Sequence, residues 1–207
     1  MERLFALSDG APGSALLLLA IVAISLLGLL AAPALIARSV FRPYWLLPKK
    51  EFWTLVSSGF VHADLSHLLF NCITFWAFAF PLERTIGTPA FLALYAIGLL
   101  ASDAGTWWKH RLEPDYRTLG ASGAILAVLF ASILYFPASS IFIMPIPVPI
   151  PAPLFAVVYL AYTWFAANRS GGRINHDAHF FGALAGLAFV AITDPDALQR
   201  AVRHLTA

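Results

Sequence analysis

Long apolar blocks alternate with short polar or proline-rich stretches along the chain. A helix needs about 20 residues at 1.5 Å each to cross the ~30 Å hydrocarbon core of a bilayer. Residues 15–37 carry no charge; the run is long for a signal-peptide core of about 7–15 residues and reads as a retained N-terminal anchor. A second block, 62–81, is polar in its first half and ends at Glu83-Arg84. A third, 89–108, is interrupted by Asp103 and closes on Trp107-Trp108, an interfacial belt. The fourth runs from 120 to about 137. Residues 144–153 alternate with proline, which is excluded from a helix interior, and read as a connecting loop. The fifth and sixth blocks are 154–167 and 175–193. The pattern predicts an all-α, polytopic membrane protein with six transmembrane helices, forming one membrane domain over residues 1–207. The tail, 194–207, reads as a brief surface helix or a frayed end.

Composition agrees with this class and removes others. The 207 residues are 60% hydrophobic and 12% charged, with mean hydropathy +0.78. Soluble domains carry about 45–50% apolar and about 25% charged residues, so a water-soluble domain is excluded, as is disorder. A net charge of +2 with no basic run longer than Lys49-Lys50 leaves no nucleic-acid footprint. One cysteine, Cys72, excludes an internal disulfide and a cysteine-based zinc cluster, and reads as a packing residue.

The polar residues inside the blocks are gathered rather than scattered. His62, His67 and Asn71 open the second crossing, Gly120-Ala121-Ser122-Gly123 the fourth, and His176, Asp177 and His179 the sixth. Alternate crossings enter from the same side, so the three groups share one face of the bilayer. Ionisable residues inside membrane helices are expensive and point to function by default. His67 and Asn71 are four apart and share a helix face. His179, Gly182 and Gly186 fall at i, i+3 and i+7, so the histidine lies on the face without side-chain bulk, while Gly123 and Ala127 form a second small pair. Small residues let membrane helices approach closely, which predicts contact between the fourth and sixth crossings and brings Ser122 within reach of His179.

A serine beside a histidine is a minimal activated nucleophile: the imidazole takes the hydroxyl proton and later returns it to the leaving amine. The developing oxyanion needs preorganised donors, and the Asn71 amide, the His67 ring and the N–H groups at the start of the fourth helix are of that kind. Each residue alone has a blander reading. Gly-x-Ser-Gly often serves packing, a histidine at a helix mouth often binds water, and Asp103 reads as an interfacial residue. His62 and His67, five apart, would be about 140° apart on one helix, poorly placed to share a metal. His176 and His179 lack a HExxH context. No metal and no cofactor are expected.

Taken together, the residues resemble a rhomboid intramembrane serine protease, whose pattern is His-x4-His-x3-Asn, Gly-x-Ser-Gly and Ala-His-x2-Gly-x3-Gly. Here these are His62…His67…Asn71, Gly120-Ala121-Ser122-Gly123, and Ala178-His179…Gly182…Gly186. The likeness covers a rhomboid-like core of about 50–192, in the family's order. It implies Ser122 as nucleophile and His179 as general base. It further implies an oxyanion and support set of Asn71, His67, His62, Gly120, Ala121 and the Ser122 N–H, with Glu83 structural. The implied activity is serine-type endopeptidase cleavage of transmembrane protein substrates within the lipid bilayer, in the minimal form without an appended soluble domain. Two departures stand out. Trp53-Thr54 replaces the Trp-Arg pair of the first loop, and Leu126 replaces the aromatic four residues after the serine.

Alternatives are a catalytically silent client-binding relative, a sorting-type rhomboid processing C-terminal anchors, and a transporter, which would place its polar residues nearer the bilayer midplane. The family likeness implies a multi-pass protein of the cell (inner) membrane whose site opens to the extracytoplasmic side. Charge counting opposes that orientation. With both termini inside, four of the 13 Lys and Arg residues (Arg3, Arg84, Arg200, Arg203) are cytoplasmic and the other nine are not.

Overall fold

The computed structural model describes residues 10–143, 148–167 and 174–206. Arg3, Arg169, Arg173 and residues 144–147 of the proline-rich stretch lie outside the described residues. In chain order, α1 spans Pro12–Leu30, α2 Pro33–Ser39, α3 Thr54–Ser57, α4 Leu65–Ile86, α5 Thr88–His110 and α6 Ser122–Tyr135. Strands β1 Ser140–Phe142 and β2 Pro149–Pro151 follow, then α7 Ala152–Ala167, α8 His176–Thr193 and α9 Pro195–Thr206. Short 3-10 turns occupy Pro43–Trp45 and Ser58–Phe60. Helices α1, α4, α5 and α8 are long and apolar enough to cross a membrane, whereas α6 and α7 are shorter apolar helices.

The anchor expected over 15–37 is not one helix. It breaks at Ala31-Ala32, where Ala32 has left helical geometry (φ −135°, ψ 70°) ahead of Pro33. Proline disfavours the helical region for the residue before it, and α2 restarts with Pro33 at its first position. At the other end, the N-terminus of α1 is held by a carboxylate from α4. The buried Glu83 accepts from Gly13 N–H at 2.8 Å, Ser14 N–H at 2.6 Å and the Thr88 hydroxyl at 2.6 Å. The first N–H groups of a helix have no partner within it, and an anion there also meets the helix dipole. Each such charge-assisted bond contributes about 1.5–3 kcal/mol.

Helix α4 starts later than the polar pattern suggested. Asp64 is its N-cap, accepting from His67 N–H at 2.8 Å, so His62 stands outside the helix. The helix also passes through Pro81 and ends only at Gly87, whose φ of +81° suits glycine. Within a bilayer, backbone groups beyond Pro81 have no water to bond, and continuing the helix pairs them. Of the proline-rich stretch, Pro149–Pro151 form β2, which pairs with β1, and Ala152 and Pro153 already belong to α7. Ile141 pairs with Ile150 between the flanking proline positions 149 and 151, which have no N–H to donate.

Helix α6 is the centre of the bundle. Every residue from Gly123 to Ile133 is buried, among α4, α5 and α8. In lipid, association rests on close packing rather than on water exclusion, and the small residues Gly123, Ala124, Ala127 and Ala131 permit it. A 14-residue helix is about 21 Å long, against a core of ~30 Å. The tail forms α9, whose buried Ala197 and Ala201 face the bundle.

Candidate active site

Ser122 is the first residue of α6 and His179 lies in the first turn of α8; their side chains meet at 2.8 Å, His179 Nε2 to Ser122 Oγ. Two glycines permit this approach. A Cβ on Gly182 would lie 2.8 Å from the carbonyl carbon of Gly123, and one on Gly186 would lie 2.8 Å from that of Ala127. Backbone therefore rests on backbone along the small-residue faces that the sequence marked. Asn175 fixes the entry of α8. Its Oδ1 caps Ala178 N–H at 3.0 Å, and its Nδ2 donates to Thr106 Oγ1 of α5 at 3.0 Å and to Thr118 Oγ1 at 3.2 Å. Thr118 also pairs through its backbone with Phe41 of the first loop, both bonds at 2.9 Å. The loop before Ser122 is thus tied directly to the entry of α8 and to the first loop, and through Asn175 to α5.

His62 and His67 lie closer than a helical spacing allows. Because His62 precedes the Asp64 cap, the two rings meet edge to face with centroids 4.8 Å apart, instead of splaying around one helix. They sit over Gly120, whose φ is +118° and where a Cβ would come within 2.7 Å of the His67 ring. Glycine is required there both by backbone conformation and by that approach.

The hydrogen bonds sort the expected support residues. Gly120 N–H donates to Ser58 O at 2.9 Å, and Ala121 N–H points to His62 Nε2 at 3.5 Å. Both groups are engaged, so Gly120 and Ala121 shape the loop rather than offer free donors. Asn71 is buried and gives one amide proton to His67 O at 2.9 Å, which leaves its other N–H available. His62 is fully buried, and burial together with the neighbouring His67 holds its pKa down to about 4. Its tautomer follows from its partners. Ser25 Oγ of α1 donates to Phe60 O at 2.9 Å, so it receives Nδ1–H of His62 at 2.8 Å, and Nε2 is left as the acceptor facing Ala121. The Asp64 carboxyl is held below its usual range by the Ser66 hydroxyl and the His67 N–H.

Other expectations change. Asp103 is buried within the bundle on α5, and its Oδ2 has no hydrogen-bond partner among the described residues. Asp177 pairs with Lys109 at 2.9 Å and with His110 Nε2 at 3.0 Å, away from His179. Glu51 pairs with Arg42, and Glu113 with His110. In the first loop the Trp53 indole donates to Arg38 O at 3.3 Å. Leu126 is buried against Leu129, Phe130 and Ala183, among others. The residue that reaches His179 instead is Tyr159 of α7, with its hydroxyl 3.0 Å from Nδ1. The sequence reading missed it and Ser25. Phe155, Tyr159 and Tyr162 at i, i+4 and i+7 mark an aromatic face that was visible, whereas a single serine inside a charge-free run gave no signal.

The Rhomboid domain family model matches residues 49–195 of the chain. YdcA of Bacillus subtilis is 40% identical over 85 residues, 41% of this chain and 41% of that protein. "Rhomboid protein 1, mitochondrial" of Saccharomyces cerevisiae is 26% identical over 156 residues, 72% of this chain and 45% of the relative. "Rhomboid protease GlpG" of Klebsiella pneumoniae is 26% identical over 158 residues, 73% and 52%. The chain spans about half the length, or less, of these curated relatives.

Proposed function

The chain belongs to the rhomboid family, and from that premise we propose that it is an intramembrane serine endopeptidase working through a Ser122–His179 dyad. The observation that carries this reading is the 2.8 Å contact between His179 Nε2 and Ser122 Oγ, a nucleophile–base distance at the buried end of a short central helix. The protease names among the relatives support it.

In this mechanism His179 accepts the Ser122 proton at Nε2 as Oγ attacks the carbonyl carbon of a substrate peptide bond. The carbonyl π pair moves to oxygen. The Ser122 N–H, unpaired at the start of α6 and aligned with the helix dipole, the free N–H of Asn71 and the His67 ring supply the donors for that oxyanion. Collapse of the intermediate breaks the C–N bond, and the imidazolium returns its proton to the leaving amine. Water, activated by the same imidazole, then hydrolyses the acyl-enzyme. Water reaches the site because α6 is shorter than the hydrocarbon core, so the dyad opens toward one face.

Six crossings follow if α1, α4, α5, α6, α7 and α8 each traverse the bilayer, with α6 shielded from lipid by its neighbours. The substrates are transmembrane segments of other proteins, and the site faces away from the cytoplasm of a cell membrane. A fluorophosphonate probe tests the chemistry. Wild type is labelled and cleaves a transmembrane reporter, Ser122→Ala does neither, His179→Ala loses cleavage, and EDTA leaves wild type unchanged. Full cleavage by Ser122→Ala would falsify the dyad.

A further inference from the structure

A histidine that serves as base at Nε2 must carry its remaining proton on Nδ1, and that proton needs an acceptor that fixes the ring. Carboxylates are the strongest such acceptors, but among the described residues neither nearby carboxylate, Asp103 or Asp177, bonds the His179 ring. Asp103 on α5 is buried, and its Oδ2 has no partner among the described residues. Asp177 is bonded by Lys109 and His110 and, two residues before His179, projects from a different side of α8. The aromatic that the family resemblance implies four residues after the serine is here Leu126, which carries no polar atom.

Among the described residues, two side chains hydrogen-bond the His179 ring: Ser122 at Nε2, 2.8 Å, and Tyr159 at Nδ1, 3.0 Å. Tyr159 is itself held on both sides. Its ring stacks on Phe155 with centroids 5.2 Å apart and lies 6.0 Å from Phe130 of α6. It also runs nearly parallel to the imidazole, at 24° and 6.5 Å.

We propose that Tyr159 of α7 is the positioning residue for His179: its hydroxyl oxygen accepts Nδ1–H, which leaves the Nε2 lone pair facing Ser122. The inference rests on the dyad reading and deepens it. The role lies on a helix other than the one that carries the nucleophile, so the bundle supplies by tertiary contact what Leu126 cannot supply locally. A neutral hydroxyl differs from a carboxylate in two ways. It offers the imidazolium a dipole rather than a charge, and it is also able to donate, so its hold on the tautomer is weaker than that of an acid.

The test is Tyr159→Phe in the full chain, which keeps the ring and its packing and removes only the hydroxyl. Expected is about a tenfold fall in kcat on a transmembrane reporter, in line with loss of one hydrogen bond, with KM within twofold and a matching slowing of fluorophosphonate labelling. In parallel, ¹⁵N spectra of imidazole-labelled protein assigned to His179 report the tautomer directly. Wild type shows protonated Nδ1 and bare Nε2, and Tyr159→Phe shows a mixture of tautomers. Wild-type kcat together with an unchanged His179 spectrum in Tyr159→Phe overturns the inference, as does a wild-type spectrum with the proton on Nε2. Were wild type neither to cleave nor to label, the protease reading would fall, while the spectra would still decide the role of Tyr159.

Discussion

Gly182→Ala adds one methyl group at the point where α8 lies on α6. Its Cβ would stand 2.8 Å from the carbonyl carbon of Gly123 and 3.1 Å from its Cα. Non-bonded carbons settle at about 3.5–4.0 Å, so the helices must part by about 1 Å; nothing flexible is present to yield, because the obstacle is backbone. Gly123 follows Ser122, and Gly182 is one turn beyond His179. The separation is therefore felt at the dyad, opening its 2.8 Å contact to nearly 4 Å, beyond hydrogen-bond range. Misplacement of reacting groups by about 1 Å lowers rates by roughly 10²-fold, and overpacking of this kind destabilises by about 1–3 kcal/mol. The assay is kcat on a transmembrane reporter in proteoliposomes, with the thermal midpoint measured alongside. Expected is a folded protein about 100-fold slower. Ala188→Leu, a larger addition on an exposed face of the same helix, serves as the control and stays near wild type. A folded Gly182→Ala protein with wild-type turnover would refute the argument that backbone contact sets the dyad distance.

Three further outcomes are expected. Asn71→Ala lowers kcat more than it changes KM, because an oxyanion donor acts in the transition state; the fall stays below the roughly 10²–10³ seen for loss of a sole donor, since the His67 ring and the Ser122 N–H remain, and a raised KM with unchanged kcat contradicts the role. His62 is held down to about 4 in the fold by burial and by His67, against 6.5 when unfolded. The unfolded chain thus binds the extra proton between those values, so this contribution, on the order of 3 kcal/mol, is complete above pH 6.5 and is lost as pH falls toward 4. Denaturant unfolding in detergent at pH 7, 5.5 and 4 reads it, and a wild-type slope retained in His62→Gln would remove His62 as its cause. Finally, a reporter active only outside the cytoplasm, fused after Ala207, stays silent if both termini are inside; signal from it inverts the proposed orientation and vindicates the lysine and arginine count.

The Ser122–His179 pair was legible because two local regularities coincide: polar residues at the starts of apolar blocks, and small residues at helical spacing beyond them. Periodicity is carried by nearest neighbours in sequence, so it is written into the chain and needs no partner to be read. The helix ends were less legible. The start of α4 depends on Asp64 capping the His67 N–H, and that one residue moves His62 off the helix and brings its ring onto His67.

By itself, then, the sequence determined the membrane class, the apolar blocks, the polar rim and the identity of the serine and histidine brought together. Tertiary structure alone decided what surrounds them. Glu83 caps a helix 69 residues away, at Ser14, and Ser25 of α1 sets the tautomer of His62. Asp103 turns inward, and Tyr159 takes the nitrogen that Leu126 leaves unattended. The Glu83, Ser25 and Tyr159 contacts are hydrogen bonds between groups far apart in the chain. Inside a bundle packed in lipid, a polar atom without water must take whichever partner the folded arrangement brings within 3 Å, and sequence spacing carries no record of that choice.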